Sequence, residues 1–280
     1  MIPNSTQPSS PPKSEFWSTV KTLFLALFVA LVLRSFLFEP FNIPSGSMIP
    51  NLLVGDFLFV SKWSFGYSKY SFPFGLDLFS GRFLDTRKPK QGEVIVFKYP
   101  RDTEFQWIKR VVGTPGDTIQ MKEGILHINN EAVKLERIED YSYVDEDDQS
   151  THVSEQYIET FPNGTQHHIL KDVPFGEARL DDTPLYEVPP GHYFMMGDNR
   201  DHSGDSRIIN NLGFVPEEYI LGKASLIYFS EEHSYWPQST LRVPMDWFSA
   251  KEWFSDRFIW WQPWKWFTAI RYSRLFKIIN

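Results

Sequence analysis

The chain has 280 residues, 42% hydrophobic, 22% charged and 17% aromatic, enough for a sizeable core and unlike a disordered or collagen-like composition. A formal charge of -7 lacks the basic balance of a nucleic-acid binder, so no nucleic-acid partner is expected. With no cysteine, a disulfide framework, a thiolate nucleophile and Cys-ligated zinc are excluded.

Residues 1–16 begin rich in Pro, Ser and Thr and read as a disordered lead. The character changes at Trp17. WSTVKTLFLALFVALVLRSFLF runs to Phe38 and, as a helix with Lys21 and Arg34 snorkelling, reaches about 33 Å, enough to cross a bilayer. A cleaved signal peptide is the competing reading, because only about a dozen uncharged residues separate Lys21 from Arg34. Apolar residues resume after Arg34 and no A-x-A site follows, which favours a retained transmembrane helix over 17–38. Lys13 and Lys21 before the uncharged stretch, against Arg34 after it, lean towards an N-inside orientation.

Beyond the span the pattern is mainly β. DFLFVSK, EVIVFKY, QWIKRVV, GILHINN, HYFMMG and ASLIYFS read as strands. Thr114-Pro115-Gly116-Asp117 reads as a turn in which Pro presets the second position and Gly supplies positive φ at the third. An antiparallel β-sheet domain is expected over 39–130 and 187–243, interrupted at 131–186 by a polar, hairpin-rich insert. The acidic run Asp145-Glu146-Asp147-Asp148 in that insert reads as a solvated face. Residues 244–280 hold six of the ten tryptophans, with Lys265, Arg271, Arg274 and Lys277 among them. Too charged to span, this segment reads as interfacial, at the headgroup layer; packing of its rings on the protein's own surface is the alternative.

The seven histidines show no HExxH or similar spacing, so no metal is expected, and no G-x-S-x-G elbow is present. A Ser-His-Asp triad stays open, because triads are spatial. Three segments hold more specific chemistry. In FNIPSGSMIPNLLVGD, Ser45-Gly46-Ser47 lies between Pro44 and Pro50 with Ile43, Met48, Leu52 and Leu53 around it. Such a small-residue turn lets a hydroxyl protrude and a substrate backbone come close, although alone it is only a loop with serines. In Trp107-Ile108-Lys109-Arg110-Val111-Val112-Gly113, alternation puts Lys109 on a face with Trp107 and Val111, and Arg110 on a face with Ile108 and Val112. An amine desolvated among such neighbours sheds its proton near neutrality and becomes a general base; a lysine that snorkels to water is the plainer alternative. Arg110 cannot lose its proton and needs a carboxylate or the sheet edge. The third segment, Gly197 to Arg207, follows the strand HYFMM with polar groups at nearly every position, as expected of a hydrogen-bond network beside a site.

In this order behind an N-terminal span, IPSGSM, IKRVVGTPGD and GDNRDHSGDSR resemble the motif boxes of the bacterial type I signal peptidases, the Ser/Lys membrane endopeptidases. VGD and GFVPEEYILGKA extend the likeness from roughly Leu25 to Phe229, with the stretch between Ile128 and Tyr186 only loosely comparable. The resemblance implies Ser47 as nucleophile and Lys109 as general base. It implies an oxyanion hole from the Ser45 hydroxyl and the backbone N–H of Ser47, and Ser203 as the residue that orients the lysine. Arg110, Asp205 and Arg207 match the charged cluster that braces the site, and Asp198 is grouped with them. Ile43, Pro44, Met48, Leu52, Trp107 and Ile108 fall where the family lines its small-residue pockets.

The resemblance also implies an antiparallel β-sheet catalytic domain, no cofactor, and substrates that are signal-peptide-bearing pre-proteins with small residues at P1 and P3. The expected setting is the bacterial inner (cytoplasmic) membrane, single-pass, with the catalytic domain on the periplasmic or outer side and the secretion translocon nearby. The chain departs from the family in having one span where longer members have two. Asn51 stands where threonine is common and His202 where asparagine is common, and Ile208 to Leu212 lengthens the stretch between Arg207 and Gly213. Two rival readings are a non-catalytic membrane-tethered β domain that binds exported polypeptides and a related self-cleaving Ser/Lys protein; for the latter no DNA-binding headpiece or internal cleavage site is visible.

Overall fold

The computed structural model describes residues 13–71, 81–144, 150–232 and 269–279. The acidic run 145–148 and the tryptophan-rich stretch 247–267 lie outside the described residues.

The expected span is a helix, Lys13–Phe36, of 24 residues, about 36 Å long. Its stretch Phe16–Phe36 has a mean hydropathy of 2.0 and buries none of its most apolar window against the protein. Leu23, Phe24, Leu27 and Phe28 stand exposed with no core to cover them, which fits a single-pass membrane anchor. The helix gives way after Phe36 because the backbone from Phe38 pairs with the strand Asp56–Ser61. Its end is tied to the body of the protein. Tyr67 donates its hydroxyl to the Phe36 carbonyl at 2.6 Å, and the Lys62 N–H donates to the Leu37 carbonyl at 3.1 Å.

Among the described residues the main sheet has eight strands. Their order is Phe38–Asn42, Asp56–Ser61, Ile220–Ser230, Val94–Tyr99, Asp102–Gly113, His192–Met196 and Val215–Pro216, with Lys277–Ile278 paired to Ile220–Ser230. Each of these pairings is antiparallel. The run Val94-Ile95-Val96-Phe97 is continuously apolar because both faces of this central strand are covered: Val94 and Val96 join one core cluster, Ile95 and Phe97 another. The lysine-bearing strand is longer than its apolar centre. A tight hairpin that sets Tyr99 opposite Asp102 draws the polar residues 102–106 into pairing.

The turn at Thr114 forms as read from the sequence: the Asp117 N–H donates to the Thr114 carbonyl at 2.9 Å, and Gly116 has φ +91°. Residues Lys134–Arg137, Tyr141–Val144, Thr151–Thr160 and Gln166–Lys171 form a separate four-stranded sheet beside the main one. The described end of the chain returns to the main sheet. Ile279 joins the core cluster of Met48 and Leu52, and Arg274 faces inward, donating from Nε to the fully buried Asp56 at 2.9 Å.

Candidate active site

Ser47 sits in a short 3-10 turn, Gly46–Met48, that leaves the first strand and drops Met48 into the core. Met48 and Leu52 are fully buried against Leu58, Val60, Val96 and Ile108. Burial of each contributes roughly 1.5–3 kcal/mol, which holds the turn against the sheet. Asn199 fixes it from the other side, its backbone N–H donating to the Ser47 carbonyl at 3.1 Å.

Lys109 lies at the middle of Asp102–Gly113, opposite Ile95. Its Nζ is 2.5 Å from Ser47 Oγ and donates to the Ile108 carbonyl at 3.1 Å. With one N–H committed to that carbonyl, the lone pair of a neutral amine is free to accept from the serine hydroxyl. Both residues are buried: Ser47 is 8% exposed and Lys109 5%. Desolvation pulls the amine down from the ordinary lysine value to about 8; Asp205 and Asp198 hold it up in part, and Arg207 pushes it further down. Ser45 is exposed, with its Oγ 3.4 Å from Ser47 Oγ. Ser203 is buried beside Gly197, where a Cβ would collide with the Ser203 hydroxyl and come within 2.6 Å of the Ser47 carbonyl oxygen. The hydrogen bonds of the amine go to Ser47 and Ile108, not to Ser203.

The partner that Arg110 required is Asp198. The guanidinium donates from Nε and Nη2 to the two carboxylate oxygens, 2.8 Å each, and from Nη1 to the Gly92 carbonyl at 2.6 Å. Asn51 Nδ2 donates to the same carboxylate at 2.7 Å. Burial pushes the Asp198 carboxyl up, but Arg110 outweighs it and holds the group below the usual carboxylate range. Arg207 forms a second fork with Asp205, 2.9 and 2.8 Å, and donates to the Arg200 carbonyl at 2.6 Å. Asp205 also accepts from the Gly197 N–H at 3.1 Å. The 197–207 loop is therefore pinned from outside by buried ion pairs of Asp198 with Arg110, the residue next to Lys109, of Arg200 with Glu159 and of Asp201 with Lys171, and braced within by Arg207 and Asp205.

Ser47 and Lys109 open on a cleft of about 820 Å³. Pro44, Ser45, Trp107 and Ile108 line it, as do Phe41, Ile49, Leu53 and the Tyr141–Val144 strand of the insert. Ile43, Met48 and Leu52, expected as pocket residues, lie instead in the core under the serine turn. Nearness in sequence to Ser47 says nothing of which side of the turn a side chain occupies. The longer stretch after Arg207 folds into turns that buttress the cleft: Tyr99 donates to Asn211 Oδ1 at 2.8 Å and stacks on Trp107 with centroids 4.4 Å apart. The walls given by the insert, the Asn51 contact and the Arg110–Asp198 partnership were not read from the sequence. The need of Arg110 for a carboxylate was the one signal for them.

The family profile described as signal peptidase, peptidase S26, matches residues 16–229. A signal peptidase I from Rickettsia typhi is 40% identical over 242 residues, covering 83% of this chain and 86% of its own. Another from Rickettsia prowazekii is 42% identical over 217 residues, covering 74% and 78%. A solved signal peptidase I from Enterococcus faecalis is 24% identical, covers 49% of this chain and 97% of its own, and has a TM-score of 0.28. The profile match takes in the anchor helix, the serine turn, the lysine strand and the 197–207 loop alike, and on that extent the chain belongs to the signal peptidase family, peptidase S26.

Proposed function

We propose that this protein is a membrane-bound serine endopeptidase that removes N-terminal signal peptides from exported pre-proteins through an acyl-enzyme formed on Ser47. The observation that carries the reading is the 2.5 Å approach of Lys109 Nζ to Ser47 Oγ in a buried site. The neutral amine accepts the Ser47 proton as Oγ attacks the scissile carbonyl, and the resulting ammonium returns a proton to the leaving amine. Water, deprotonated by the same amine, then hydrolyses the ester. The Ser45 hydroxyl, exposed beside Ser47, and the Ser47 N–H serve the oxyanion. Ser203 orients the amine as its bond to Ser47 is lost on acylation. Arg110, Asp198, Asp205 and Arg207 position the loop that closes the site.

Pro44, Trp107 and Ile108 bound the subsites, and the cleft they line suits small P1 and P3 residues. The helix Lys13–Phe36 runs into the sheet with almost no linker, which keeps the catalytic turn close to the bilayer surface. On this reading the protein sits in the bacterial cytoplasmic membrane with its sheet on the outer face, beside the translocon, where pre-proteins emerge.

The test is incubation of the detergent-solubilised protein with a purified pre-protein. The expected product is the mature chain, cut after a small residue, with a covalent ester at Ser47 trapped by acid quench. Binding of the pre-protein without turnover would support the rival reading of a non-catalytic tethered domain.

A further inference from the structure

Three side chains far apart in the sequence meet beside the cleft, which His202 lines. His152 is the second residue of the strand Thr151–Thr160, Asp172 follows the strand Gln166–Lys171, and His202 lies in the 197–207 loop. Each presents one ligand atom, and the three atoms lie within 4.8 Å of one another. His202 Nε2 is 2.6 Å from Asp172 Oδ2. The other carboxylate oxygen, Asp172 Oδ1, is buried and has no hydrogen-bond partner among the described residues. A carboxylate oxygen in that state is costly unless a cation or a further donor completes it.

The ligands stand on a braced backbone. The N–H groups of Asp172 and Val173 each donate to Asp201 Oδ2 at 2.9 Å. Asp201 is itself held by the buried Lys171 at 2.8 Å, and the His152 ring stacks on Tyr143 with centroids 5.5 Å apart. Two imidazoles and one carboxylate suit a borderline cation such as Zn²⁺ rather than Mg²⁺ or Ca²⁺, which take oxygen ligands. Ion–ligand bonds of about 2.1 Å in tetrahedral geometry set ligand atoms about 3.4 Å apart, a rotamer-scale adjustment from the present spacing. A fourth position stays open to water.

We propose that His152, Asp172 and His202 form a binding site for one divalent transition cation of the zinc class, which staples the insert to the loop carrying Asp205 and Arg207. The staple has a path to the reacting serine. Tyr143 donates its hydroxyl to Asp172 Oδ2 at 3.4 Å, and Asn199 Nδ2 donates to Tyr143 Oη and to the Gly46 carbonyl, 3.3 Å each. A cation on Asp172 therefore stiffens the row that backs the Gly46–Met48 turn.

The full-length protein in detergent, stripped with a chelator, is titrated calorimetrically with ZnCl₂. One ion per chain is expected, and Co²⁺ in its place should give the visible absorption of a tetrahedral site. His152→Gln and Asp172→Asn should each weaken Zn²⁺ binding by at least about tenfold, the scale lost even for outer-shell partners. His127→Gln, in the separate strand Ile125–Ile128, should leave it unchanged. An unchanged circular dichroism spectrum and thermal midpoint of His152→Gln in chelator show that the fold is intact, and His202→Asn is a third ligand variant expected to weaken binding likewise. No zinc uptake at about 0.1 mM, or wild-type affinity in His152→Gln and Asp172→Asn, would overturn the site.

Discussion

Replacing Ser47 by alanine is expected to lower kcat/KM for a pre-protein by about four orders of magnitude or more, the scale seen when one member of a coupled nucleophile–base pair is removed. Lys109→Ala should lose as much, and the double variant little more, because the two act as one unit. Lys109→Arg discriminates a base from a fixed charge. A guanidinium keeps its proton, so this variant should be as inactive as the alanine. Lys109→Met adds a stability readout of opposite sign. The folded amine loses its proton at about 8, below the unfolded lysine value, so the unfolded state binds more protons between those two values. Stability then rises with pH across that window and is least below it, where the buried amine must carry charge. Methionine removes this cost. The variant should melt higher than wild type at pH 7, with the gain shrinking between about pH 8 and about pH 10.5 and smallest above that, measured by calorimetry. Retained activity in Ser47→Ala would refute the nucleophile assignment.

Arg110→Ala is expected to be the most damaging single change to the fold. It leaves the Asp198 carboxylate, 1% exposed on its side chain, without its bidentate partner. Truncating one side of a buried pair costs about 3–5 kcal/mol, and for a domain of this size each kcal/mol moves the thermal midpoint by about 2–4 °C. Asp198 also holds Asn51 at 2.7 Å, and its backbone carbonyl accepts from the Leu170 N–H at 2.9 Å. The serine turn and the insert should therefore loosen together. Replacing both partners at once, Arg110→Met with Asp198→Leu, should recover much of the midpoint, since no charge is then stranded. If Arg110→Ala melts within a degree of wild type, the pair does not hold the site.

Much of this was legible in the sequence because it is written locally. An apolar run of helical length, six short β patterns and three ordered boxes need only neighbouring residues to be recognised. What was not legible depends on contacts between distant residues. Arg110 announced its need for a carboxylate, but nothing in spacing chose Asp198 over Asp205. Ile43, Met48 and Leu52 flank Ser47 and look like pocket walls, yet the turn sends them inward among Leu58 and Val96. Tyr141–Val144 carries no motif and lines the cleft only because the insert folds over it. Arg274 reads as a headgroup cation, and it pairs instead with buried Asp56 from the other end of the chain. The cluster of His152, Asp172 and His202 likewise has no ligand spacing to betray it, since three separate segments supply one residue each.

The most direct measurement of an uncharged lysine at the centre of this site is the pH dependence of kcat/KM, which reports groups of the free enzyme. Protonation removes the base, so the rate should be low in acid, climb through a midpoint near the amine's value of about 8, and level off above it. At pH 8 about half the molecules would hold the amine neutral, against well under 1% for an ordinary lysine, roughly a hundredfold difference in competent enzyme. An acidic limb centred near 10.5, as for a solvated amine, would contradict the account.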